Sequence, residues 1–199
     1  MVAVDRLGQG HTDNPPTPSD YSFDAVMAHL ETWWGAVGLQ DTCVVGDSRG
    51  GLVAALLALR HPARVRRLVI IDSATLAPTD PRWDAKDFYD ALETQLTGED
   101  VAADVRTSLE AHSYNPGHVS ERYIATALER IATEGFHCPT LLFWGRNDPS
   151  ARLPLCMDLL DRIAEKTDDV QVHIVNHAGH ASFREQPHVF NDVLATFCG

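Results

Sequence analysis

A hydroxyl, a carboxylate and an imidazole stand in three separate loops of this chain, each within three residues of a glycine. Ser48 lies within Gly46-Asp47-Ser48-Arg49-Gly50-Gly51. Asp148 closes Gly145-Arg146-Asn147-Asp148, and His180 closes Asn176-His177-Ala178-Gly179-His180. These residue types in combination can attack a carbonyl carbon. A serine hydroxyl is a weak nucleophile until a base takes its proton. An imidazole, with an ordinary pKa of about 6.5, suits that role near neutrality. A carboxylate that accepts the other ring N–H fixes the tautomer and stabilises the imidazolium. The product of attack is an acyl-enzyme, which water then cleaves. No metal and no cofactor is implied.

Two residues compete for these roles. His177 could be the base if its loop were shifted, and Asp72 also follows a strand and could be the acid. Their bland roles are a loop-stabilising imidazole and a carboxylate that caps loop amides. For Ser48 the bland role is a side-chain N-cap of the helix that follows it. The backbone N–H of Arg49 is a candidate oxyanion donor. Its guanidinium either pairs with Asp47 or another carboxylate, or reaches a substrate carboxylate.

The three loops must be brought together by regular elements. Asp41 to Gly46, Val65 to Asp72, Thr140 to Trp144 and Val170 to Val175 read as strands, as does Val2 to Asp5. Helical spacing runs from Ser22 or Asp24 to about Val37, from Gly51 to Arg60, from Pro154 to Lys166 and from Pro187 to Phe197. Strands alternating with helices imply a mainly parallel α/β sheet with helices on both faces. Ser48, Asp148 and His180 then each fall just past the carboxyl end of a strand, and those ends line one rim. At Ser48 the chain must turn from strand to helix within about two residues, with a strained serine backbone. Gly46 and Gly50 are expected to be needed there because a Cβ would collide across the turn.

Between Ala74 and Phe136 no strand pattern is found. Trp83 to Leu96, Asp100 to His112 and Ser120 to Thr133 have helical spacing, broken at Gly98, Asn115-Pro116-Gly117 and Gly135. The chain thus divides into a core, residues 1–73 and 137–199, and a helical insertion, residues 74–136. Trp83 and Tyr114 are candidates to line a pocket, and Arg130 to meet a substrate carboxylate, whereas Arg122 is expected to be solvated. Trp33, Trp34 and Trp144 read as packing residues. Gly8-Gln9-Gly10 is no dinucleotide fingerprint, because Asp13 stands where the third glycine would be.

Taken together these motifs resemble the α/β-hydrolase superfamily. Asp5-Arg6-Leu7-Gly8-Gln9-Gly10-His11-Thr12 is similar to the segment after that family's fourth strand. Gly46 to Gly51 resembles its nucleophile turn, Gly145 to Asp148 its acid loop, and Gly179-His180 its histidine loop. The resemblance implies that Ser48, Asp148 and His180 are the catalytic residues of a serine hydrolase and that residues 74–136 form its cap. It implies a small-molecule substrate, either a carboxylic ester or a C–C bond in a ring-cleavage product. Some members of the superfamily bind ligands without turnover, so a receptor-like protein is the alternative. The family's first three strands, and the loop that gives the second oxyanion donor, have no counterpart before Met1-Val2-Ala3-Val4-Asp5. The expectation is therefore a part of a longer hydrolase, inactive if that donor is missing, or a sheet in which the fourth and fifth strands pair directly.

Composition narrows the partners. With 199 residues, 44% of them hydrophobic, the chain suits one domain with an inserted cap. Its net charge of −12 disfavours nucleic acid and anionic membrane surfaces. No stretch approaches the roughly 20 apolar residues of a membrane span. The start shows no leader pattern, and self-association is left open. Cys43, Cys138, Cys156 and Cys198 match no metal pattern. They read as buried free thiols, which points to a reducing, cytoplasmic location.

Overall fold

The computed structural model describes residues 1–17, 22–77, 133 and 135–199. In chain order the elements are α1 (Phe23–Ala36), β1 (Thr42–Asp47), α2 (Arg49–Arg60), β2 (Val65–Ile71) and a 3-10 turn at Ala74–Leu76. These are followed by β3 (Thr140–Gly145), α3 (Leu153–Ala164), β4 (Val170–Val175), α4 (Ser182–Glu185) and α5 (Pro187–Cys198). All three strand pairings are parallel, in the order β1-β2-β3-β4. The sheet is therefore the parallel α/β architecture that the alternating pattern implies.

Side-chain alternation along the strands builds two cores. Leu68 and Ile70 of β2 and Leu142 and Trp144 of β3 face one side, where α1, α2 and α3 pack. Val69, Ile71, Leu141 and Phe143 face the other side, against Phe197 and the apolar face of α5. Successive residues of a strand point to opposite faces, so a continuous apolar run fills both layers. In α1 the buried Phe23, Met27, Leu30 and Trp34 recur every three or four residues. Ser22 caps this helix by accepting the Ala25 amide at 3.3 Å. Trp144 is fully buried and its indole N–H donates to the Ala151 carbonyl at 2.7 Å. Trp34 is buried, and Trp33 packs half-buried beside it, as packing residues do.

Two expectations are corrected. Met1 to Asp5 is exposed and forms no strand, and Val2 is 60% exposed. An apolar run becomes a strand only when a neighbour offers it a hydrogen-bond ladder. Here β1 pairs with β2 alone among the described residues, and its Val45 is 42% exposed. Direct pairing of the two segments is not seen either. The second correction concerns cysteine. Cys43 and Cys198 are joined by a disulfide across 155 positions of sequence, with Cα atoms 6.0 Å apart, which ties the end of α5 to β1. Sequence spacing carries no pairing information at such a separation. Cys138 and Cys156 are buried free thiols, and burial pushes them up to about 11 and about 12.

The proposed cap lies mostly outside the described residues, and with it Trp83, Tyr114, Arg122 and Arg130. Its described ends belong to the core: Leu76, Ala77 and Phe136 are buried there, with Ala74 against them. Among the described residues, no helix is long and apolar enough to cross a membrane.

Candidate active site

Strand register sets the rim. Asp47 stands opposite Ile71, Ile71 opposite Phe143, and Gly145 opposite Val175. Ser48 and Asp72 come one residue past their strands. Asp148 comes three residues past β3 and His180 five past β4. All four residues therefore leave the same, carboxyl-terminal edge of the sheet, where loops of a parallel sheet form their crevice.

The turn at Ser48 is strained in the way its glycines foretell. Ser48 has φ 53° and ψ −118°, a conformation that costs on the order of 1–3 kcal/mol for a residue with a Cβ. A Cβ on Gly46 would land on the carbonyl of Gly50, and one on Gly51 would strike Ser73. Gly50 itself faces open space. The expectation for Gly50 is thus corrected: its backbone, not its missing side chain, makes the close approach. Braces from β2 and its following loop hold the turn. The Ser48 amide donates to the Ile71 carbonyl at 2.8 Å, and the Ser48 carbonyl accepts from the Ser73 hydroxyl at 2.6 Å. The Ser48 side chain makes no capping hydrogen bond to α2, which sets aside its role as an N-cap.

Across the rim, His180 Nδ1 lies 2.7 Å from Asp148 Oδ2, and both residues are buried. An ionised carboxylate only accepts, so Nδ1 carries a proton, and in the neutral ring Nε2 keeps its lone pair. The other oxygen, Asp148 Oδ1, accepts from the amides of Ser150 and Ala151, each at 2.8 Å, and from the Ser150 hydroxyl at 2.9 Å. Burial alone would raise the Asp148 carboxyl, but the hydrogen bond and charge of His180 and the two amides bring it below its ordinary value. Burial alone would likewise lower His180. The hydrogen bond and charge of Asp148, with the charges of Asp47 and Asp72, leave it above 6.5 instead. Asp47, the neighbour of Ser48, feels His180, Arg184 and Asp148, which links the serine turn electrostatically to the imidazole. Burial pushes Asp47 up to about 6, and its Oδ1 is buried without a hydrogen-bond partner among the described residues.

The competing residues have other work. His177 is exposed at φ 57°, its amide donating to Asn147 Oδ1 at 3.0 Å and its ring beside Asn176. Asp72 is fully buried and accepts from the Gly145 amide at 2.7 Å, the Ser182 amide at 3.2 Å and the Ser182 hydroxyl at 2.6 Å. Arg49 opens α2 and lies close enough to Arg6 for the two guanidiniums to repel; burial first, and then Arg49, lower the Arg6 pKa. Sequence reasoning missed Ser73, Ser150 and Ser182, since an isolated serine in a loop gives no sign of its partner.

A parallel sheet with Ser48, Asp148 and His180 leaving one edge is an α/β architecture with a candidate site at its rim, and comparison with known proteins makes the class specific. Residues 1–187 match the alpha/beta hydrolase fold, and the chain belongs to that family. The 2-hydroxymuconate semialdehyde hydrolase of Pseudomonas sp. (strain CF600) is 28% identical over 99% of this chain and 75% of that protein. The mouse sn-1-specific diacylglycerol lipase ABHD11 is 26% identical, over 99% of this chain and 71% of its own length. Among solved structures, the meta-cleavage product hydrolase of Pseudomonas fluorescens IP01 superposes with a TM-score of 0.65 at 26% identity, covering 97% of this chain and 77% of that one. The chain is, by this kinship, a hydrolase.

Proposed function

We propose that the protein is a serine hydrolase acting on a small-molecule carbonyl compound through Ser48, His180 and Asp148. One observation carries the reading: a buried Asp148–His180 pair, 2.7 Å apart, stands at the sheet edge that also presents a strained Ser48 with no capping bond. Nε2 of His180 takes the Ser48 proton as the hydroxyl attacks the carbonyl carbon. Asp148 stabilises the imidazolium that results. The oxyanion meets the backbone amide of Arg49, the first residue of α2. His180 returns its proton to the leaving group, and water cleaves the acyl-enzyme. Residues 74–136 are read as the cap over this rim, supplying Trp83, Tyr114 and Arg130 to the substrate.

The substrate class rests on kinship. A ring-cleavage product with an enol and a carboxylate, split at a C–C bond, is the class favoured by the hydroxymuconate and meta-cleavage relatives. An ester is the second class, on the strength of the lipase relative. A fluorophosphonate probe and p-nitrophenyl acetate test the mechanism, and a vinylogous ring-cleavage product tests the bond. Labelling and turnover that vanish in Ser48→Ala are expected. A protein that binds the ring-cleavage product but never labels or turns over either compound overturns the reading.

A further inference from the structure

The serine-hydrolase reading leaves one buried carboxylate without a task. Asp72 follows β2 at φ 43°, an unfavourable conformation for a residue with a side chain, and is fully buried. Its two oxygens are divided between two loops. Oδ1 accepts from the amide of Gly145, the residue that opens the acid loop. Oδ2 accepts from the amide and hydroxyl of Ser182, two residues beyond His180. The loops are also stitched to one another, Asn147 donating to the Ala178 carbonyl at 2.9 Å and the His177 amide to Asn147 Oδ1. Those stitches lie on the near side of His180. Asp72 holds the far side.

We propose that Asp72 is a positioning residue for the hydrolytic reaction, a clamp that fixes the loop of Asp148 and the loop of His180 in register from beneath. The proposal rests on the serine-hydrolase reading, since a clamp on the pair matters only if the pair acts. Its chemistry is simple. A carboxylate can accept on both oxygens at once, and no neutral side chain of that length offers two equivalent acceptors. In Asp72→Asn the amide nitrogen must face either the Gly145 amide or the Ser182 amide, donor against donor, and on the Ser182 side only the hydroxyl can turn to accept from it. One loop is released, and a misplacement of about 1 Å at the reacting groups can cost up to about 10²-fold in rate.

Asp72 also bears on the imidazole by charge. His180 faces Asp148, Asp47 and Asp72, and each raises it. Burial pushes Asp72 up to about 7, opposed by the hydrogen bonds from Ser182 and Gly145, while Asp148 adds to the rise. Asp72 in turn raises the neighbouring Cys156 thiol. Removing its charge therefore lowers the His180 pKa, and the acidic limb of the rate profile moves to lower pH. A residue that merely supported the fold would not move that limb.

The test is steady-state hydrolysis of p-nitrophenyl acetate by the full chain, with Ser48→Ala assayed alongside. For Asp72→Asn we expect kcat to fall about tenfold or more, KM to stay within about twofold, and the acidic limb to shift downward. Ser182→Ala should lower kcat about threefold, and the double variant should lose little more than Asp72→Asn alone, because the two residues act through one contact. Full kcat and an unmoved limb in Asp72→Asn overturn the clamp, as do additive losses. If Asp72→Asn does not fold, Ser182→Ala decides: reduced kcat at constant KM supports the clamp, and wild-type kcat overturns it. Activity that survives in Ser48→Ala instead removes the serine-hydrolase reading itself, a result distinct from any failure of Asp72.

Discussion

The serine turn and the acid–histidine loops lie on one rim, yet they are built in opposite ways. The turn is a local object. Gly46 allows its backbone to touch that of Gly50, Gly51 leaves room for the Ser73 side chain, and Ser48 takes a strained conformation, with braces from Ile71 and Ser73. The acid–histidine region is a long-range object. Asp148 and His180 are 32 residues apart, and Asp72 and Ser182 are 110 apart. Strain positions the proposed nucleophile, and a polar network positions its proposed base. The first device fails sterically, when a side chain is added. The second fails electrostatically, when a charge or a donor is removed.

Deleting the reacting groups gives the largest effect and tests whether the two regions act together. Ser48→Ala and His180→Ala should each lower kcat by about 10⁴–10⁶, and the double variant should be little worse than either alone. Hydrolysis of an activated ester reads all three. Independent, additive losses would mean that the turn and the imidazole do not share a reaction.

Next in size is a pure charge change in the network. Asp148→Asn keeps the shape of the side chain but forfeits the acceptor that fixes the Nδ1–H tautomer, and kcat should fall by about 10⁴. The sign of the pH effect follows from the base. Only neutral His180 can accept the Ser48 proton, so the rate falls as pH drops through its pKa. That pKa is held above 6.5 chiefly by Asp148, against the opposing effect of burial. The wild-type acidic limb should therefore lie above pH 6.5, and in Asp148→Asn it should move to lower pH. A wild-type rate that stays flat from about pH 5 to 8 would remove His180 as the base.

The same contrast explains what could be read from sequence. Gly-x-Ser-x-Gly between an apolar strand and an apolar helix announces its turn, because the whole cause lies within six residues. Strands β1 to β4 were legible for a similar reason: the apolar run that fills two layers is contiguous. The strand expected at Val2 to Asp5 was not formed, because strand formation depends on a neighbour and the run itself says nothing of one. Asp72 shows the limit on the site side. Sequence placed it at the rim but left its role open between a catalytic acid and a loop cap. Hydrogen bonds to residues 73 and 110 positions away show it capping loop amides. The Cys43–Cys198 link escaped for the same reason.

Stability rather than rate separates the glycines, and here the comparison sharpens. Gly46→Ala sets a Cβ against the carbonyl of Gly50, a backbone atom that cannot swing aside. The turn must open or the helix must shift. A loss of about 3 kcal/mol or more is expected, in the range of overpacked cores and strained backbones. Urea denaturation of the two proteins measures it. A stability unchanged within about 0.5 kcal/mol would show that the turn is softer than its geometry implies.

Gly50→Ala is the smallest change and the most discriminating, because sequence alone treats Gly46 and Gly50 as equals. The space around Gly50 is open to 4 Å, and the residue lies in the first turn of α2 at no positive φ. An alanine there meets nothing and gains the helix preference of alanine over glycine, up to about 1 kcal/mol. The Ser48 turn is left intact, so esterase rate and fluorophosphonate labelling should match the wild type within about twofold while the denaturation midpoint holds or rises. A destabilised or inactive Gly50→Ala would mean that the second glycine of the motif is required for its own conformation, and the division between a steric nucleophile turn and an electrostatic base would have to be redrawn around α2.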